Sequence, residues 1–190
     1  MKKFAFQYAF SFFCVILFLA AFTPVSANAQ RRDYMTEAES ELVREAQEVD
    51  LRMNILTKMI DRRFAALNNV PVKTEKNSEK WGEPPAGTRL ELLSDIAKLL
   101  QKAVDDIDDV AAHNRMDSKL FPKAMRNLAE AAQRYLPKLK SVYDQNPDAK
   151  EKGLLIGATE LCESIIEASA KVPKEAPKEG KKKKSKDDTE

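Results

Sequence analysis

Residues 34–68 read YMTEAESELVREAQEVDLRMNILTKMIDRRFAALN, and the fold turns on how this stretch is read. Leu42, Ala46, Val49, Met53, Leu56, Ile60 and Leu67 recur at spacings of four and three, except that Arg63 fills one apolar slot beside Phe64. Such alternation keeps a narrow apolar seam on one side, as a bundle or coiled-coil helix requires. The spacing predicts one continuous helix over 34–68. At about 1.5 Å per residue it would be roughly 50 Å long, too long to bury its seam without partners.

The partners follow in sequence. Residues 69–87 form a linker punctuated by Pro71, Gly82, Pro84, Pro85 and Gly87, with Trp81 as its one large apolar side chain, expected to fold back over one end of the bundle. A second helix, 88–113, opens with Thr88 and Glu91 as a capping box and carries Leu93, Ile96, Leu100, Ala103, Ile107 and Val110. A third, 119–145, has Asp117 or Ser118 as its cap. Its seam is Phe121, Met125, Leu128, Ala132, Tyr135, Leu139 and Val142, with Pro137 predicting a kink near 133–135. The fourth, 147–171, takes Asn146 as cap and Pro147 as its first position, with Leu154, Ala158, Leu161, Ile165 and Ala168 as seam and Cys162 flanking it. Gly153 and Gly157, one turn apart, would allow a neighbouring backbone to approach.

Four seams, short second and third connections and no strand-like alternation predict an all-α domain over 30–172. The expected form is an antiparallel up-down four-helix bundle with a long first helix. The acidic start of that helix (Glu37, Glu39, Glu41, Glu45, Glu48) would overhang the bundle, and a residual seam there points to a homodimer through the first helix.

Both flanks differ in composition. Lys2 and Lys3, the apolar run Phe10 to Phe22 and Ala27-Asn28-Ala29 make residues 1–29 a signal peptide cleaved after Ala29. The chain is therefore expected to be exported, to a periplasm or the medium. Residues 173–190 are a Pro/Lys/Glu-rich, low-complexity tail, expected to be disordered because nothing in it can form a core. Its run Lys181, Lys182, Lys183 and Lys184 is the candidate contact for an anionic surface.

Removing residues 1–29 takes away two lysines and no acid, which brings the net charge from +2 to zero. Six aromatics remain, too few for the stacking platforms of single-stranded nucleic acid binders, and no nucleic-acid partner is expected. Cys162 is the one cysteine left, so no intrachain disulfide forms, and its apolar setting predicts a buried, inert thiol.

His113 is the only histidine. The sequence holds no paired Glu-x-x-His, haem-attachment, calcium-loop or nucleotide-binding pattern, so no catalytic residue, metal or cofactor is assigned. Asp105, Asp106, Asp108, Asp109 and His113 read as a solvated helix face. Met35 and His113 would meet at one end of a simple bundle, where such a pair can ligate haem. The expected role is non-enzymatic, through contact with a protein partner or an envelope surface. The alternative is a periplasmic bundle that holds a small ligand, metal or haem.

Overall fold

The computed structural model describes residues 32–70, 78–113 and 119–172. The signal segment with its cleavage site and the tail with Lys181–Lys184 lie outside these residues. The described chain is a helical bundle of five α-helices without a strand: α1 (Glu37–Glu45), α2 (Val49–Leu67), α3 (Arg89–Ala112), α4 (Leu120–Tyr143) and α5 (Ala149–Ala170). A short 3-10 turn, Ser78–Trp81, precedes α3.

The single long helix predicted over 34–68 is not formed. The chain breaks at 46–48 and α1 folds back along α2. Glu39 near the start of α1 reaches Arg62 and Arg63 late in α2, while Ala46 at its end accepts from Arg52 Nε at 3.0 Å. Local signals do not explain the break, because Ala46, Gln47 and Glu48 all favour helix. Pairing explains it. A straight helix would hold Glu39 about 35 Å from Arg63 at about 1.5 Å per residue, and neither arginine could reach the Glu39 carboxylate. The reversal also satisfies the end of α1, where Gln47 Nε2 donates to Arg44 O and Arg52 to Ala46 O. The acidic start of the predicted helix therefore does not overhang the bundle.

Polar pairs fix the helix directions. Arg63 lies 3.8 Å from Asp95 and Arg52 3.7 Å from Asp106, so α2 and α3 are antiparallel. Lys123 donates to Asp50, Asn127 to Asn54 and Lys138 to Asp61, so α2 and α4 run side by side in the same sense. Arg89 at the start of α3 bonds Glu151 at the start of α5 and Val142 O at the end of α4. The four helices pack as α2 on α3, α3 on α5, α5 on α4 and α4 on α2, while α3 and α4 touch only slightly. Directions alternate along the chain, yet two of the four packed pairs are parallel. In a simple up-down arrangement every packed pair would be antiparallel.

The core follows the predicted seams of α2, α3 and α4 closely. Met53, Leu56, Ile60, Ile96, Leu100, Ala103, Met125, Leu128, Ala132 and Tyr135 are all buried. Pro137 sits within one uninterrupted α4. Thr88 and Glu91 form the predicted capping box.

Two starts differ from expectation. Asp148, rather than Asn146, caps α5, accepting from Lys150 N and Glu151 N at 2.8 Å each. Asn146 instead takes a left-handed φ of +54° and turns the chain out of α4. Lys119 precedes α4 without a side-chain cap bond, and the expected caps 117 and 118 lie outside the described residues.

The seam of α5 is rotated by about one residue. Leu155, Ala158, Cys162 and Ile165 face the core, whereas Leu154 and Leu161 are half-buried and Ala168 is exposed. Leu154, Leu155 and Ile156 are consecutive, so two 4-3 patterns fit this helix equally well.

Candidate functional site

The largest concentration of buried charge lies where α1, α2 and the 3-10 turn meet. Thr36 and Glu39 form a capping box at the start of α1, which fixes the Glu39 carboxylate. Arg63 grips that carboxylate with both terminal nitrogens, at 2.5 Å to Oε1 and 2.6 Å to Oε2, and its Nη2 also donates to Tyr34 O at 2.7 Å. Arg62 Nη1 donates to Glu39 Oε1 at 2.7 Å and to Trp81 O at 3.0 Å, and its Nη2 to Glu83 O at 2.7 Å. Glu39 is 0 % and Arg63 1 % exposed.

This arrangement straps the segment after residue 77 onto α2. Trp81 folds back there, with Lys58 Nζ 4.8 Å and Arg62 Cζ 5.4 Å from its ring. The strap is filled from within, as the arginine donors already point at Glu39 and backbone carbonyls. Burial lowers the Arg62 pKa from its ordinary value, with Glu39 acting in the opposite direction. Chemically the junction is a clamp.

Accessible apolar surface is found on the other side of the molecule. A groove of about 610 Å³ runs between α4 and α5, lined by Leu136, Leu139, Tyr143, Leu155 and Ile156, with Lys140, Asp144, Glu160 and Glu163 at its margins. Tyr143 is 42 % and Ile156 48 % exposed. A second groove of about 610 Å³ lies between α3 and α5, lined by Ser94, Ala97, Lys98, Gln101, Leu154 and Leu161. Gly153 and Gly157 form part of its wall, and nothing comes within 4 Å of where either Cβ would stand. Among the described residues, none makes the close approach that these glycines permit.

No protein-family model matches this chain, and neither a curated protein nor a solved structure matches it.

His113 ends α3 in solvent, with Nδ1 2.8 Å from Asp109 O and 3.3 Å from Asp109 Oδ1. Among the described residues no three His, Cys, Asp or Glu side chains are grouped to hold a metal ion. The four aspartates do not form one wet face. Asp106 is buried and pairs with Lys102 and Arg52, while Asp105, Asp108 and Asp109 are exposed. Met35 and His113 are not brought together. The α1 reversal carries Met35 to the C-terminal end of α2, and His113, at the end of the antiparallel α3, lies at the opposite end.

Cys162 is fully buried, and burial pushes its thiol pKa up to about 12, so it is no nucleophile. The Tyr135 hydroxyl, whose pKa is raised by burial and then by Asp61, donates to Thr57 O at 2.8 Å. Tyr143 and Ile156 are the residues that sequence reasoning passed over. The signal was present in Leu154-Leu155-Ile156, three consecutive apolar residues on a helix with only one face to bury.

Proposed function

We propose that this chain is an exported, non-enzymatic helical-bundle protein that works by contact with a protein partner or an envelope surface. Helices α2–α5 would serve as a rigid four-helix scaffold, with alternating directions and a diagonal connection from α3 to α4. The observation that carries this reading is the open α4–α5 face, where Tyr143 and Ile156 stand nearly half exposed beside an apolar groove. Exposed large apolar side chains gathered around one groove are a surface that a partner can cover. In this reading the leader at 1–29 delivers the chain to the envelope, and Lys181–Lys184 add attraction to anionic surfaces there.

The test is to express the full sequence in a bacterial host with a photo-crosslinking residue at position 143. A mass beginning at Gln30 and an adduct to an envelope component support the proposal. An intact mass in the membrane fraction, or no adduct from position 143, overturns it.

The groove volume favours a second reading. About 610 Å³ lies within the roughly 300–1,000 Å³ range of small-ligand pockets. A small apolar ligand seated there would appear as added mass in native spectra of the exported protein, lost on Ile156→Asp substitution. An absorption scan on the same sample tests for haem.

A further inference from the structure

We propose that the exposed ridge of α5 is a self-pairing surface, on which a second copy of this chain packs its own α5 antiparallel about Ile156. Residues 153–159, Gly-Leu-Leu-Ile-Gly-Ala-Thr, are seven uncharged residues in succession. The core buries Leu155 and Ala158 from them, and Leu154 packs half-buried against it. A helix that is apolar on several faces belongs in surroundings that cover several faces, and here grooves stay open on both sides of the ridge.

The ridge is complementary to itself. Ile156 stands out as a knob, and beside it Gly153 and Gly157 leave a hollow with nothing within 4 Å of either missing Cβ. A knob and a hollow on one surface are what a two-fold contact requires, since each copy offers the same patch to the other.

Charge selects both the partner and the direction. Lys152 and Glu160 are exposed, lie on the stripe of Ile156, and each is four residues from it. Antiparallel pairing that seats Ile156 on the partner's Gly157 centres the two-fold axis between these positions and leaves Lys152 within one residue, about 1.5 Å along the helix, of the partner's Glu160, and the axis repeats that pair. Parallel pairing would set lysine against lysine and glutamate against glutamate. The opposite-charge arrangement therefore favours a second, reversed copy of the same helix.

The proposal deepens the contact reading by naming the partner of this face. A strictly monomeric chain that still crosslinks from position 143 to another protein would overturn self-pairing and leave the contact reading standing.

The decisive measurement is sedimentation equilibrium of the exported protein up to about 100 µM, which detects any dimer of micromolar affinity. Twice the chain mass is expected, falling to once the chain mass in Ile156→Asp with unchanged helical circular dichroism. Lys152→Glu alone and Glu160→Lys alone should each weaken association about tenfold, because each sets like charges together at both pairs. An equimolar mixture of these two variants should recover the wild-type dimer, since the two acidic positions of one variant then face the two basic positions of the other. A wild-type monomer at about 100 µM, a dimer that survives Ile156→Asp, or a mixture no tighter than its components would each overturn the proposal.

Discussion

The junction of α1, α2 and the 3-10 turn is built from opposite material to the seam between α4 and α5. The junction buries two guanidinium groups against one carboxylate and a set of backbone carbonyls. The seam buries alanines and aliphatics and leaves apolar edges in solvent. Directional bonds specify one arrangement and fail abruptly when a partner is lost. Apolar contacts tolerate repacking and can leave surplus surface for another molecule. Satisfaction at the junction is also incomplete. Among the described residues Arg62 Nε has no hydrogen-bond partner, and Arg63 Nε meets Asp95 only at 3.8 Å. The junction thus contributes specificity of shape more than net stability.

Removing Glu39 should break the contrast most severely. Glu39→Ala leaves two buried cations without their shared carboxylate, and a loss of about 3–5 kcal/mol is expected in urea unfolding. Trp81, the sole tryptophan, lies in this junction, so its emission should move to the red before any denaturant is added. A loss below about 1 kcal/mol would show that the junction behaves as a solvated surface pair.

Leu128→Ala on the buried face of α4 should cost about 3 kcal/mol by leaving a cavity. Trp81 emission in the native state should not move, which separates the two regions. Gly82→Ala tests the strap itself. Gly82 has a φ of +59°, and an added Cβ would lie 3.0 Å from Ala38 Cβ. A loss of about 1–2 kcal/mol is expected from the left-handed backbone alone, and an unchanged urea midpoint would contradict the tight α1–linker approach. Tyr135→Phe should cost about 1 kcal/mol, since it deletes one buried hydrogen bond between α4 and α2 and keeps the ring.

The smallest effect at neutral pH belongs to Cys162. Its thiol pKa is pushed up to about 12, above the ordinary value near 9. Below pH 9 both folded and unfolded chains keep the proton, so no stability is lost. From there towards pH 12 the unfolded chain releases it first, and stability falls as pH rises. Urea midpoints at pH 8 and pH 10.5 should therefore drop less in Cys162→Ala than in the parent. Iodoacetamide at pH 8 should label the thiol only as fast as the protein unfolds.

These regions were also unequally legible in the sequence. The helices α3 and α4 could be read from their periodicity, and the Thr88–Glu91 box marked the start of α3 to the residue. The reversal at 46–48 could not be read, because every residue there favours helix and the deciding contact joins positions 39 and 63. Two traces were nevertheless present. Arg63 occupied an apolar slot, and Thr36-x-x-Glu39 repeats the capping-box pattern 52 residues before Thr88. The α4–α5 face was obscured for another reason: with three consecutive apolar residues, periodicity gives two registers and only packing chooses between them.

Parallel packing of α2 with α4 and of α3 with α5 has an electrostatic consequence. In an alternating bundle each helix end is flanked by ends of opposite sign. Here the positive N-terminal ends of α2 and α4 lie together, and so do those of α3 and α5. Each end of the bundle is thereby divided into a positive half and a negative half. Asp50, buried in the first turn of α2, and Glu151, in the first turn of α5, each stand at such a doubled positive end. The protein carries a polarity across its width as well as along its helices.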